Sequence, residues 1–203
     1  MKIAILGAKT IGATLGRKWV QAGHTVIFGV RHPDSPDVQD LLVALGERAS
    51  VVLTADAIAA GDVVVFAIPG AAVDETVAAH AAALAGKVVI DATNKRGAPV
   101  MNSLAAFAAH APGAQVYRAF NTLGWENFEN PRFGDVTADL FYCGPEGDSQ
   151  AVVERLIADV GLRPLRVGGL DQVQAVDGVA SLWFALALGQ KRGRHLAFKM
   201  LTG

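Results

Sequence analysis

The chain opens with MKIAILGAKTIG, residues 1–12, and how this stretch divides decides the fold. Residues 3–6 carry no polar side chain, the pattern of a strand buried on both faces rather than one. Residues 11–22 then place Ile11, Leu15, Trp19 and Ala22 on one side of a helix. Between strand and helix stands Gly7-Ala8-Lys9-Thr10-Ile11-Gly12. In a G-x-G-x-x-G turn the first glycine makes the bend, the second lets a pyrophosphate reach the backbone, and the third lets helix and sheet pack closely. Gly7 and Gly12 take the first and third places, and Lys9 takes the second. The helix start still offers N–H groups and a positive dipole end to an anion. Lys9 either adds its ammonium to that site or obstructs it with a long side chain.

The next apolar run, 25–28, ends in Phe28-Gly29-Val30-Arg31-His32. A site for NAD usually has a carboxylate there to accept the ribose hydroxyls. Here none comes before Asp34, while Arg31 presents a planar fork suited to a 2′-phosphate and His32 stands beside it. The alternative is a plain surface arginine in a polar turn. With a phosphate present, the pattern selects NADP(H) over NAD(H).

Further along, strand-like and helix-like runs keep alternating. Strands are expected at 50–53, 62–68, 87–91 and 115–119, and helices at 38–45, 54–60 (capped by Thr54), 71–84 and 102–109. Such alternation describes a doubly wound, mostly parallel α/β sheet covered on both faces, a Rossmann-type unit. The segment 123–137 breaks the rhythm as a long aromatic loop. A second, smaller unit follows, with strands at 138–143 and 163–167 and helices at 148–159 and 173–188. The expected division is therefore 1–135 and 136–203, the later part completing the cleft. The last helix has little polar surface and belongs in a core or a subunit interface.

Ligands in such sheets lie at the carboxyl ends of strands. Three segments fall there: Ala67-Ile68-Pro69-Gly70, Asp91-Ala92-Thr93-Asn94 and Ala119-Phe120-Asn121-Thr122. Ile68 and Pro69 would form an apolar wall, and Asn94 and Asn121 either hydrogen-bond a ligand or cap turns. Asp91 is read as orienting the Asn94 loop, not as a general base. Trp183 either stacks on a ring or packs in a core or dimer contact.

Composition narrows the function. Among 203 residues, 18 Lys and Arg stand against 19 Asp and Glu, with no cationic block to track a nucleic acid. Cys143 is the one cysteine, which excludes a disulfide framework within the chain and reads as a buried small hydrophobe. The five histidines show no metal-ligand spacing, so no metal is expected. No signal peptide or membrane span is expected either, which places the protein in the cytoplasm. No nucleophile or general acid–base set stands out, so no catalytic side chain is named; hydride chemistry, carried by cofactors, needs none.

MKIAILGAKTIG, GVRHP, VVFAIPG, VVIDATN, YRAFNTLGWENF, ADLFYCGPEGD, IADVGLRPLRVGGL and GRHLAFKML, in this order and spacing, strongly resemble the coenzyme F420-dependent NADP oxidoreductase family along nearly the whole chain. The resemblance implies a homodimer that passes hydride between NADP(H) and the deazaflavin F420 or a similar flavin-like ring. It also implies Gly7, Thr10, Ile11 and Gly12 at the pyrophosphate and Arg31 and His32 at the 2′-phosphate. Ile68 and Pro69 would border the cofactor, and Asn121 and Thr122 would approach the hydride-transfer region. Lys9 departs from the family's glycine. Reduction of another small acceptor by NADPH and non-enzymatic NADP(H) binding are the competing readings.

Overall fold

Strand β1 (Lys2–Leu6) anchors the first half of the protein: Ile3, Ala4, Ile5 and Leu6 are all completely buried. The computed structural model describes all 203 residues and divides into two units, Met1–Val116 and Tyr117–Gly203. In the first unit β1, β2 (Thr25–Val30), β3 (Ala49–Leu53), β4 (Val63–Phe66) and β5 (Val88–Asp91) lie in the spatial order β5-β4-β1-β2-β3. Every pairing among these five is parallel. The chain moves outward from β1 to β3 and then returns to the other side of β1 as β4, so the strand order reverses between β1 and β4. In open α/β sheets a crevice opens at the carboxyl ends beside such a reversal. Helices α1 (Thr10–Gln21), α2 (Pro36–Leu45), α3 (Thr54–Ala60), α4 (Val73–Ala79), α5 (Ala81–Leu84) and α6 (Leu104–His110) connect the strands.

Helix α1 buries Leu15 and Trp19 completely. Full burial of side chains such as leucine contributes about 1.5–3 kcal/mol each. The approach of α1 to the sheet leaves no room for a Cβ at two positions. An ideal Cβ on Gly16 would lie 2.5 Å from the Phe28 ring, and one on Gly12 only 2.0 Å from the Gly7 carbonyl oxygen.

Three local expectations are corrected. The single helix expected over 71–84 is interrupted at His80 (φ −120, ψ 19), where Ala83 and Leu84 N–H groups both turn back to the His80 carbonyl. Alanine favours helix without fixing its path, and packing that buries Val77 and Leu84 decides it. Thr54 is not a cap: Leu53 holds the N-cap position in an extended conformation (φ −64, ψ 153), and no side chain caps α3. The segment 123–137 is not a bare loop but holds a short helix, α7 (Trp125–Glu129), and a hairpin of β7 (Arg132–Phe133) and β8 (Val136–Thr137). The hairpin turn has Gly134 at φ +61, the left-handed conformation that a two-residue turn needs.

Strand β6 (Gln115–Arg118) spans the division between the units. In the second unit β9 (Asp139–Cys143) pairs in parallel with β10 (Arg163–Gly168) and antiparallel with β6 at Arg118 and Cys143. Helix α8 (Asp148–Val160) buries Val153, Leu156, Ile157 and Val160, while α9 (Val173–Phe184) buries Val176, Ala180 and Trp183 and continues as a π-helical turn over Ala185–Gly189. Cys143 is buried, and desolvation pushes its thiol up to about 11. No helix is long and apolar enough to cross a membrane.

A buried carboxylate ties residues 198–200 to this sheet. Asp139 accepts hydrogen bonds from Arg163 Nε and Nη2 (both 2.6 Å), from Met200 N (2.7 Å) and from Lys199 Nζ (3.1 Å), while its own N–H donates to the Phe198 carbonyl. Burial pushes this carboxyl up, but Arg163, the Met200 N–H and Lys199 together outweigh it and hold the group below the usual carboxylate range. A depressed native pKa stabilises the fold above the unfolded value and loses that contribution as pH falls through the native one.

Two outcomes are expected. Gly12→Ala drives a Cβ into the Gly7 carbonyl and costs about 2–3 kcal/mol or more in urea unfolding. Asp139→Asn leaves Arg163 and Lys199 without their carboxylate and costs about 3 kcal/mol at pH 7. The deficit relative to the unsubstituted chain shrinks as unfolding is repeated below about pH 4, the unfolded carboxyl's range. A deficit independent of pH would mean that charge at Asp139 does not matter.

Candidate functional site

The register of the first unit levels the carboxyl ends of its strands. Leu6 pairs with Gly29 on one side and Phe66 on the other, and Phe66 pairs with Asp91. The ladder runs one residue further: Gly7 N donates to Gly29 O (3.0 Å), Ala67 N to Leu6 O (3.0 Å) and Ala92 N to Phe66 O (3.2 Å). The turn at Gly7, the Arg31 turn, the Ile68-Pro69-Gly70 bend and the Thr93-Asn94 loop therefore leave the sheet along one edge.

Gly7 has φ +101, and a Cβ there would stand 2.7 Å from the Ala67 carbonyl oxygen and 3.3 Å from Ile68 Cγ2. Both conformation and space demand glycine. Lys9 is different. It occupies the N-cap of α1 at φ −83 and ψ −170, extended backbone that any residue adopts, and its side chain is exposed. That side chain forms no capping hydrogen bond to the helix start. The first intrahelical bond runs from Ala13 N to Lys9 O (2.8 Å), so the N–H groups of Thr10, Ile11 and Gly12 precede it and face the helix end. No acidic residue occupies the first turn to compete with an anion.

Arg31 follows β2 directly; Arg31 and His32 are exposed, and neither side chain forms an ion pair or hydrogen bond within the protein. An arginine held for structure would be expected to have found a carboxylate; this one keeps its fork for solvent or ligand. Ile68 is half-buried beside Gly7, and Pro69 is exposed. Gly70 abuts the neighbouring loop so closely that a Cβ would stand 2.8 Å from Asn94 O.

Asp91, completely buried at the end of β5, turns its carboxylate back onto that loop. Oδ1 accepts from Thr93 N (3.0 Å) and Thr93 Oγ1 (2.6 Å), and Oδ2 accepts from Ser103 N (3.4 Å). Further out, Lys95 Nζ donates to both Asp74 oxygens (2.8 and 2.7 Å), and that ammonium holds the Asp74 carboxyl below its usual range.

In the second unit Asn121 and Thr122 are almost completely buried. Asn121 Nδ2 donates to Asp177 Oδ1 (3.2 Å), which also receives Arg118 Nε and Nη2 (both 2.9 Å). The residue between, Phe120, holds φ +62, an unusual conformation for a residue with a side chain. Arg118 and Asp177 escaped the sequence reading. The signal was present, since each is a lone charge inside an apolar stretch, VYRAF and VDGVA, and a buried charge requires a partner. Tyr117 and Tyr142 are committed to packing: Tyr117 Oη meets Ser149 Oγ (2.6 Å), and Tyr142 Oη donates to Glu154 (2.5 Å). Trp183 is buried, with Nε1 donating to Leu196 O (2.7 Å) and the Arg194 guanidinium 5.3 Å from its ring centre.

Residues 2–95 match the family described as NADP oxidoreductase, coenzyme F420-dependent. Among solved structures, a protein of Arthrobacter sp. FB24 provisionally named an F420-dependent NADP reductase is 26% identical, with a TM-score of 0.86 over 100% of both chains. A reductive aminase from Aspergillus terreus, solved with NADPH and ethyl levulinate, is 26% identical with a TM-score of 0.65 over 94% of this chain and 66% of that one. The metalloreductase STEAP3 of Rattus norvegicus is 26% identical over 183 residues, 88% of this chain. The chain spans 36% of that curated relative's length. Segment 2–95 is thus similar in sequence to the coenzyme F420-dependent NADP oxidoreductase family, and the whole chain is similar in fold to the reductases named above.

Proposed function

We propose that the chain binds NADP(H) along the carboxyl edge of its first unit and passes hydride between the nicotinamide and coenzyme F420 or a similar flavin-like ring. The observation that carries the reading is the uncommitted Arg31 fork, with His32, at the end of the strand adjoining the Gly7–Gly12 turn. A phosphorylated ribose needs a cation there, whereas an unphosphorylated one is usually held by a carboxylate. The pyrophosphate is assigned to Gly7, Thr10, Ile11 and Gly12, with Lys9 as an added point charge, and the cofactor's wall to Ile68, Pro69 and Asn94. The family description supports both NADP and F420. Family resemblance assigns Asn121 and Thr122 to the hydride-transfer region.

Within this proposal the cofactors supply the electrons, and the protein supplies position and a dry surface. The engaged hydroxyls of Tyr117 and Tyr142 favour an acceptor that needs no tyrosine proton donor. We include a homodimer in the same reading, with α9 and its π-helical continuation as contact: Ala175, Gly178, Leu182, Ala185 and Gly189 are exposed at alternating spacings of three and four. Residues 136–203 would then form the assembling part. Cytoplasmic residence belongs to the proposal as well.

Calorimetric titration with NADPH, NADH and F420 tests the central claim. NADPH should bind most tightly of the two dinucleotides, and Arg31→Ala should weaken NADPH by about ten-fold or more, the loss of a charged hydrogen-bond pair, while changing NADH little. Equal losses would reject Arg31 as the phosphate clamp. Lys9→Gly should weaken both dinucleotides while leaving the helix no less charged-compatible at its N-terminus, because a cation there opposes the dipole. Tight NADPH binding without turnover of any ring acceptor would remove the proposed acceptor class and keep the dinucleotide site.

A further inference from the structure

Between β5 and α6 the chain makes an excursion over residues 92–103 whose two ends meet on one buried group. Asp91 holds the outgoing strand end through Thr93 N and Thr93 Oγ1, and the return through Ser103 N, the residue that precedes α6. A carboxylate is suited to this because it only accepts, and all three partners are donors. The middle of the excursion closes on itself, with Lys95 N donating to Met101 O (2.8 Å), and residues 96–100 are exposed. Asn94 sits between the Asp91 anchor and this closure, half-buried, with its carbonyl pressed against Gly70. Its backbone is therefore fixed from three directions, by Thr93, by Gly70 and by Lys95.

We propose that Asp91, acting through Thr93, is a positioning residue that sets Asn94 at the ligand edge and so tunes dinucleotide affinity. The inference rests on the NADP(H) reading above and deepens it at the same site. Asp91 contributes no proton and touches no cofactor. A completely buried carboxylate that satisfies the donors at both ends of a loop over-determines that loop's path, and pre-ordering lowers the entropy lost when the loop meets a ligand. The Lys95–Asp74 pair restrains the same loop from outside, but Asp74 is 55% exposed, so solvent screens it. The buried side of the loop is where the restraint resides.

Thr93→Val and Thr93→Ser separate positioning from mere folding. Valine keeps the shape and removes the hydroxyl that donates to Asp91, whereas serine restores it. NADPH titration well below the melting temperature is expected to give a dissociation constant raised about five- to ten-fold for valine and within about two-fold of the parent for serine. In an Asn94→Ala background the valine penalty should vanish, because the effect passes through Asn94. Should Thr93→Val not fold, the comparison of Thr93→Ala with Thr93→Ser in both backgrounds carries the same test. Penalties that persist unchanged without the Asn94 side chain, or a serine variant as weak as valine, overturn the positioning role. Binding by the parent that valine leaves unaltered overturns this inference alone, and absence of NADPH binding by the parent overturns it together with the proposed function.

Discussion

The contact between the Gly12 α-carbon and the Gly7 carbonyl governs the first half of this protein. Because no side chain stands between them, α1 begins close against the end of β1, its unpaired N–H groups lie at the carboxyl end of that strand, and Trp19 reaches the core about two turns further on. A wider junction would tilt the helix away from the sheet and move the Thr10–Gly12 amides off the edge where Arg31, Ile68 and Asn94 emerge. Sheet register does the rest: with Leu6, Gly29, Phe66 and Asp91 paired in a row, four loops share one rim.

Charge is arranged differently in the two units. At the rim of the first, Lys9, Arg31 and His32 are left to solvent, which costs little in stability and leaves their hydrogen-bonding capacity open. In the second, Arg118 and Asp139 are fully buried and completely engaged, Arg118 with Asp177 and Asp139 with Arg163, Lys199 and a backbone amide. Desolvation of the buried partner offsets much of the attraction in such pairs, while removing one partner leaves the other charge uncompensated. The cations suited to a ligand are thus the ones the fold does not use.

Much of this was legible from the residues. The β1–turn–α1 unit, the alternation of strands and helices, and the emergence of Arg31 and Asn94 at strand ends all follow from local patterns, because apolar runs and glycine positions act within a few residues of themselves. What the sequence did not yield depends on distant partners. His80 interrupts a stretch whose alanines favour helix, since packing of Val77 and Leu84 outweighs propensity. The hairpin over 132–137 hid in an aromatic segment because four paired residues are too few for a periodic signal. Asp177 was legible only as an anomaly, a lone acid on an apolar helix, and its partner lies 59 residues away. The two carboxyl oxygens of Asp91 likewise close a loop that no spacing rule would join.

Cys143 gives the protein a practical property. It is the one cysteine of the chain, it lies at the end of β9 without exposure, and desolvation raises its thiol to about 11. At neutral pH almost none of it is thiolate, the form that attacks maleimides and iodoacetamides. A cysteine introduced on the rim, at a loop tip such as residue 97 or 98, would therefore be the chain's sole labelled position, and a dye or spin probe there could report on nucleotide arrival without first removing the native sulfur.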